Sequence, residues 1–183
     1  THSICHERNI VKVRDDAPLE LLGPLACGVQ TGAGAIINAL KIGVGATLAV
    51  FGTGSVGLSG VMAARLMGAT TIIGVDLNDD RLALAKELGC THTINAGSEN
   101  PVDKIMEFTG TGVDFCFETT GAPTVIRQAM ESLTLRGTCG IVGASPVGTE
   151  ISLDVVHLMT AGRSIRGIVE GESNPDIFIP ALI

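Results

Sequence analysis

Six residues, Gly52-Thr53-Gly54-Ser55-Val56-Gly57, carry the spacing G-x-G-x-x-G, and an aspartate, Asp76, stands 19 residues beyond the last of them. Together they have the makings of a phosphate cradle beside a sugar hook. The first glycine, Gly52, permits a tight turn, and Gly54 lets the backbone approach a pyrophosphate. Gly57 lets the following helix pack closely on its sheet. Backbone N–H groups of Ser55 and Val56 then face phosphate at the positive end of a helix dipole. A carboxylate at Asp76, next to Leu77, accepts hydrogen bonds from both hydroxyls of an adenosine ribose and repels a 2′-phosphate, which favours NAD over NADP. Arg81, five residues on, reaches the ribose or the adenine rim, whereas Asp79 and Asp80 suit a helix start. Each residue also has a plainer reading: a glycine turn, a strand-end turn aspartate, a solvated helix arginine. Cys27, one thiol among five, reads from the residues alone as a small buried hydrophobe.

The surrounding pattern decides between these readings, because the motif needs a strand before it and a helix after it. Short apolar runs predict strands over 47–52 (TLAVFG), 71–76, 91–95, 113–118, 138–143 and 164–169. Helical spacing between them predicts helices over 55–67, 79–88, 101–109 and 123–133, with a last one starting near Asn174–Pro175. Fully apolar strands, each followed by a helix, indicate a parallel sheet covered on both faces. The expected fold is therefore α/β, a doubly wound, six-stranded dinucleotide-binding sheet of the Rossmann type. Residues 1–46 stand outside the alternation. CHERNIVKVR at 5–14 reads as a strand or two of a preceding domain, and 29–40 as a helix leading into the sheet. The expected division is 1–26 as the remnant of a preceding domain and 27–183 as the cofactor domain. The first residue is not Met and the last lies in an apolar stretch, so both ends read as cuts.

Composition narrows the function further. The 183 residues are 45% hydrophobic and 17% charged, which suits one domain with a substantial core. A net charge of -7, no basic block and only 3% aromatic residues argue against a nucleic-acid partner. No apolar run is long enough to span a bilayer, and no signal pattern opens the chain. Cys5, Cys27, Cys90, Cys116 and Cys139 are odd in number and contain no CxxC, which disfavours a disulfide framework and points to a reducing cytoplasm.

Read as an ordered set, several segments resemble the zinc-containing alcohol dehydrogenases of the medium-chain dehydrogenase/reductase family. They are CGVQTG at 27–32, VFGTGSVGL at 50–58, IIGVDLNDDRLALAKELG at 72–89, GVDFCFETTG at 112–121 and IVGASP at 141–146. GPLACGVQTGAGA and GIVEGESNPDIFIP look most like the aryl (benzyl) alcohol dehydrogenases. The resemblance implies that Cys27 is a ligand of the catalytic zinc, its partners lying on a domain upstream. Ala26 departs from the glycine many relatives have there. Thr31 corresponds to a residue beside the nicotinamide, and Val56 to an apolar side chain behind that ring. Thr119, Thr120 and Gly121 match positions lining the adenosine side. Val142, Gly143 and Ala144 match the segment that holds the nicotinamide carboxamide. Glu170 is acidic where many relatives are apolar and receives no role. His2, His6, His92 and His157 match no metal position.

What the resemblance implies is an NAD- and zinc-dependent enzyme that oxidises primary, aromatic alcohols to aldehydes by hydride transfer, zinc acting as Lewis acid. The chain alone is expected to bind NAD without turnover. Apolar residues at 151–169 before the last strand, expected at the sheet edge, suggest homo-oligomers, since the family pairs two such edges across a two-fold axis. Three alternatives stay open: a zinc-free reductase of the same superfamily such as a quinone oxidoreductase, a dinucleotide-sensing module, and a methyltransferase. Cys27 and the third glycine disfavour them.

Overall fold

The computed structural model describes residues 4–183; residues 1–3, His2 among them, lie outside the described residues. A six-stranded sheet runs in the order β3-β2-β1-β4-β5-β6, every neighbouring pair parallel. The strands are β1 Thr47–Phe51, β2 Thr71–Asp76, β3 His92–Asn95, β4 Val113–Glu118, β5 Leu133–Ile141 and β6 Ser164–Gly167. This is the doubly wound arrangement that the alternating pattern predicts. The strand order reverses between β1 and β4, and that switch point is where ligands of such sheets bind.

Chain punctuation explains most of the helix limits. The helix Asp79–Leu88 (α3) starts at Asn78, whose side chain accepts the Arg81 N–H at 3.0 Å, and stops at Gly89 (φ 139°). Helix Pro101–Thr109 (α4) has Asn100 as its cap and ends at the left-handed Gly110. Helix Ser55–Leu66 (α2) opens differently: its cap is Gly54, with no side chain to close its first turn.

Two apolar layers cover the sheet. Phe117, Leu48, Val50 and Ile72 pack with Ile36 and Val61 on one face. Phe51, Ile73, Ile94 and Cys116 pack with Ile105 and Met130 on the other. Before the sheet, one continuous helix runs over 25–39. Its middle segment Gln30–Gly34 (α1) is flanked by wider turns at Leu25–Val29 and Ala35–Ala39, closed by bonds such as Leu40 N–H to Ala35 O at 2.8 Å. Small residues let this leading helix lie directly on α2. A Cβ on Gly32 would stand 2.1 Å from the Val56 carbonyl oxygen.

Four expectations are corrected. The segment 5–14 forms no strand: it holds one short helical turn, Glu7–Asn9, and among residues 4–24 only Ala17 is buried. The leading helix starts four residues before Val29. Helix Pro123–Glu131 (α5) ends before Leu133, because β5 already begins there. The register jumps from Val113↔Leu133 to Phe115↔Thr138, a bulge centred near Arg136, whose φ is 64°. The last strand stops at Gly167 rather than 169. After β5 come helix Val155–Thr160 (α6) and, at the end, Pro175–Ala181 (α7).

Candidate cofactor-binding site

The glycine loop falls between β1 and α2, as its spacing requires, and the structure shows what two of its glycines do. Gly52 has φ 90°, a left-handed conformation that a side chain would strain. Gly57 sits so close under the turn that a Cβ on it would lie 1.9 Å from the Gly52 carbonyl oxygen. Loop and helix are thus pressed together, and the first-turn N–H groups of α2 have no side-chain cap. By contrast α3, α4, α6 and α7 each begin on an Asn or Asp that accepts a first-turn N–H, while α5 begins on Ala122 without a side-chain cap but has Pro123, which lacks an N–H, in its first turn. An uncapped helix start aimed past a glycine turn suits an anion.

Asp76 ends β2 and is half-buried. Its Oδ2 accepts the Thr53 N–H at 2.7 Å and the Thr53 hydroxyl at 3.0 Å, while Oδ1 accepts the N–H groups of Leu77 at 2.8 Å and Asn78 at 3.1 Å. Partial burial pushes this carboxyl up, but the four hydrogen bonds, led by the Thr53 N–H, outweigh it and hold the group below its ordinary value of 3.8. Asp76 is therefore ionised at neutral pH and fixes the loop that precedes α2.

A cleft of about 600 Å³ opens at the carboxyl ends of β1, β2 and β4, with Gly54, Asp76, Leu77, Arg81 and Thr120 among its walls. Gly54 faces open space: nothing lies within 4 Å of where its Cβ would be. Thr119 stitches β4 to the loop, its hydroxyl donating to the Phe51 and Gly52 carbonyls at 3.0 Å each. The structure thus gathers Gly52, Gly54, Asp76, Leu77, Arg81, Thr119 and Thr120 about one cavity. The fully buried Thr53 stands behind Asp76.

The remaining candidates lie across the switch point. Val142 follows β5, its N–H bonded to the Glu118 carbonyl at 2.9 Å, and Gly143 packs so tightly on Gly121 that a Cβ would meet its nitrogen at 2.0 Å. Ala144 and the hydroxyl of Ser145 also lean on Gly121. Thr31 and the exposed Cys27 project from the leading helix, near the start of α2. Gly28 between them would bring a Cβ within 3.2 Å of Ser55 Oγ.

One supporting residue escapes sequence reasoning. Glu118, fully buried at the end of β4, accepts the N–H groups of Thr120 at 2.7 Å and Gly121 at 3.1 Å, and the Thr120 hydroxyl as well. It shapes the turn that carries both residues. A carboxylate closing the apolar run Phe115–Phe117 and followed at once by TTG donors is the signal that could have found it.

Metal ligation is a different matter. Among the described residues no three His, Cys, Asp or Glu side chains come together as a metal site. Cys27 is one donor where a catalytic zinc needs about three protein ligands, so these residues alone do not fit that ion. All five cysteines are free thiols. No helix of the described residues is long and apolar enough to cross a membrane.

Comparison with known proteins agrees with this geometry. Residues 55–182 match the family described as zinc-binding dehydrogenase. The whole chain is 44% identical to geraniol dehydrogenase of Castellaniella defragrans, spanning 49% of that protein. Two crystal structures superpose with a TM-score of 0.92, each over 94% of this chain: benzyl alcohol dehydrogenase of Acinetobacter calcoaceticus and an alcohol dehydrogenase zinc-binding domain protein of Burkholderia ambifaria. Their identities are 48% and 56%, and the chain covers 48% and 46% of them. The chain thus spans about half the length of the relatives it matches.

Proposed function

Because the chain belongs to the zinc-binding dehydrogenase family, we propose that it is the NAD-binding part of an alcohol dehydrogenase whose substrates are primary alcohols bearing an aryl ring. The observation that carries this reading is the cleft at the switch point, with an uncapped helix start on one side and an ionised Asp76 on the other. Residues 27–183 are the cofactor unit in this reading, and 1–26 the tail of a preceding catalytic domain. The scarcity of burial in 4–24 supports that division. The name of the benzyl alcohol relative, to which the chain is 48% identical, supports an aryl substrate.

The chain's residues divide the work. N–H groups of Ser55 and Val56 hold the pyrophosphate, and Gly54 keeps the backbone clear for it. Asp76 takes the adenosine ribose, while Leu77, Arg81, Thr119, Thr120 and Gly121 border the base and sugar. Thr31, Val56 and the 142–144 backbone orient the other half. When bound, the nicotinamide supplies the hydride acceptor. Cys27 is one zinc ligand, the others coming from outside the chain, and its exposure leaves the thiol open to them.

Titration calorimetry of this chain tests the reading. NAD is expected to bind, NADP more weakly, and S-adenosylmethionine not at all. Preference for S-adenosylmethionine, or no binding by any nucleotide, would overturn it. With zinc and benzyl alcohol added, no turnover is expected, since Cys27 lacks its partner ligands.

The same reading includes self-association through the β6 edge. Here the apolar residues before β6 divide. Leu153 and Leu158 pack into the domain's own core, whereas Val155, Val156 and Met159 are 71%, 65% and 71% exposed. Among the described residues strand β6 has only β5 as a neighbour. Exposed apolar side chains beside an open strand edge support a two-fold contact. Sedimentation equilibrium at micromolar concentration is expected to give a dimer, and Met159→Glu a monomer. A wild-type monomer would reject the contact.

A further inference from the structure

Glu170 is held in an unusual way. It opens a run of three left-handed residues, Glu170, Gly171 and Glu172, with φ of 46°, 63° and 48°. Side-chain-bearing residues avoid that region, and two of these three carry one. Packing fixes the turn: the Gly171 carbonyl accepts from Asn38 Nδ2 at 3.3 Å, and a Cβ on Gly171 would stand 2.6 Å from the Gln30 carbonyl oxygen. The result presents the Glu170 carboxylate to the leading helix, where Oε2 accepts from Gln30 Nε2 and from the Thr31 hydroxyl, both at 3.3 Å. Gln30 is only 3% exposed, and in turning its amide nitrogen to Glu170 it leaves its Oε1 buried without a partner. Strain and an unsatisfied acceptor are both tolerated to keep one carboxylate in place.

That place is the far side of the switch point from Asp76. Strand ends β5 and β6 are joined there by the Ile168 N–H bonding the Ile141 carbonyl at 2.8 Å, and Glu170 follows two residues later. A dinucleotide with its adenosine in the cleft and its pyrophosphate at α2 carries its second half across β4 toward β5. Its path would then lead toward Thr31, whose hydroxyl donates to Glu170. The nearby Arg166 is already paired with Glu172, and among the described residues no cation forms a salt bridge with Glu170. Arg8 lines the same cavity as Glu170 without pairing with it, so the carboxylate has no direct ionic partner there.

Resting on the reading of the cleft as an NAD site, we propose that Glu170 sets the balance between the two redox forms of the cofactor, favouring the oxidised nicotinamide, which carries a positive charge, over the neutral reduced ring. Thr31 and Gln30 are positioning residues that aim the carboxylate.

Calorimetry with three ligands tests this on the chain as it stands: NAD in its oxidised form, its reduced form, and ADP-ribose, which lacks the ring. Glu170→Gln keeps the size and polarity of the side chain and removes the charge. Oxidised cofactor is expected to bind the variant about three- to tenfold more weakly, as for one charge acting across partly wet surroundings. The reduced form and ADP-ribose are expected to bind it unchanged, and Glu170→Asp to recover part of the loss. Equal changes for oxidised and reduced cofactor, or none for either, would overturn the role of Glu170. Failure of ADP-ribose to bind the wild-type chain would instead sink the reading of the cleft.

Discussion

Gly57→Ala is expected to lower the melting temperature by about 10 °C and to abolish dinucleotide binding. The methyl group would start 1.9 Å from the Gly52 carbonyl oxygen, a backbone atom with no rotamer to move away. Either α2 must slide off the sheet or the turn at Gly52 must open. Overpacking of this sort costs about 3 kcal/mol, and a domain of this size loses roughly 2–4 °C per kcal/mol. The same displacement moves the N–H groups of Ser55 and Val56 away from their anion. Gly54→Ala separates the two effects. Nothing lies within 4 Å of its Cβ position, so thermal stability should hold while the methyl fills space facing the cleft and weakens binding by roughly tenfold. Scanning calorimetry and cofactor titration on both variants check this. Equal stability of Gly57→Ala and the wild type would contradict the packing described for the loop.

Asp76→Asn has the second largest expected effect, on stability as well as on cofactor choice. Each wild-type oxygen receives two hydrogen bonds, and an amide offers only one oxygen, so its NH₂ group would face two donors. Losing charge-assisted bonds and orphaning the buried Thr53 should cost about 2 kcal/mol. The pH dependence has a definite sign. Asp76 is held below its ordinary value in the folded chain, so the unfolded chain binds the proton more readily. Its stabilisation is complete above the unfolded value and is lost as pH falls through the folded one. The wild type should therefore melt higher than the variant at about pH 6 and approach it below about pH 3. A constant gap across that range would mean that the charge of Asp76 does not stabilise the loop. The ratio of NAD to NADP affinity should fall together with the charge.

Much of this architecture was legible in the residues because local and tertiary preferences coincide. Strand β2 and helices α3 and α4 have the limits that Asp76, Asn78, Gly89, Asn100 and Gly110 impose, and each limit is a backbone requirement written in one residue type. Where the fold depends on contacts between distant segments, the pattern misleads. Ile10, Val11 and Val13 suggest a strand, but a strand exists only beside another, and no described segment pairs with them. The start of β5 is hidden for the converse reason. In the run LTLR only Leu133 is buried, while Leu135 is 72% exposed and Arg136 is left-handed, so the segment depends on its pairing with β4 and the Ala161 carbonyl. At the site, the spacing located the loop and Asp76, but not the bonds between them. Thr53 is a loop residue in sequence and the immediate partner of Asp76 in space.

Those bonds also change what binding at Asp76 can mean. A carboxylate has room for about four donors, and Asp76 already accepts four. A ribose hydroxyl entering the cleft must therefore take over a place that another donor already holds. The count of hydrogen bonds then hardly changes between the empty and the filled cleft. Asp76 acts less as a source of tightness than as a filter: it admits a donor in exchange for a donor, and turns away a phosphate, which has none to offer.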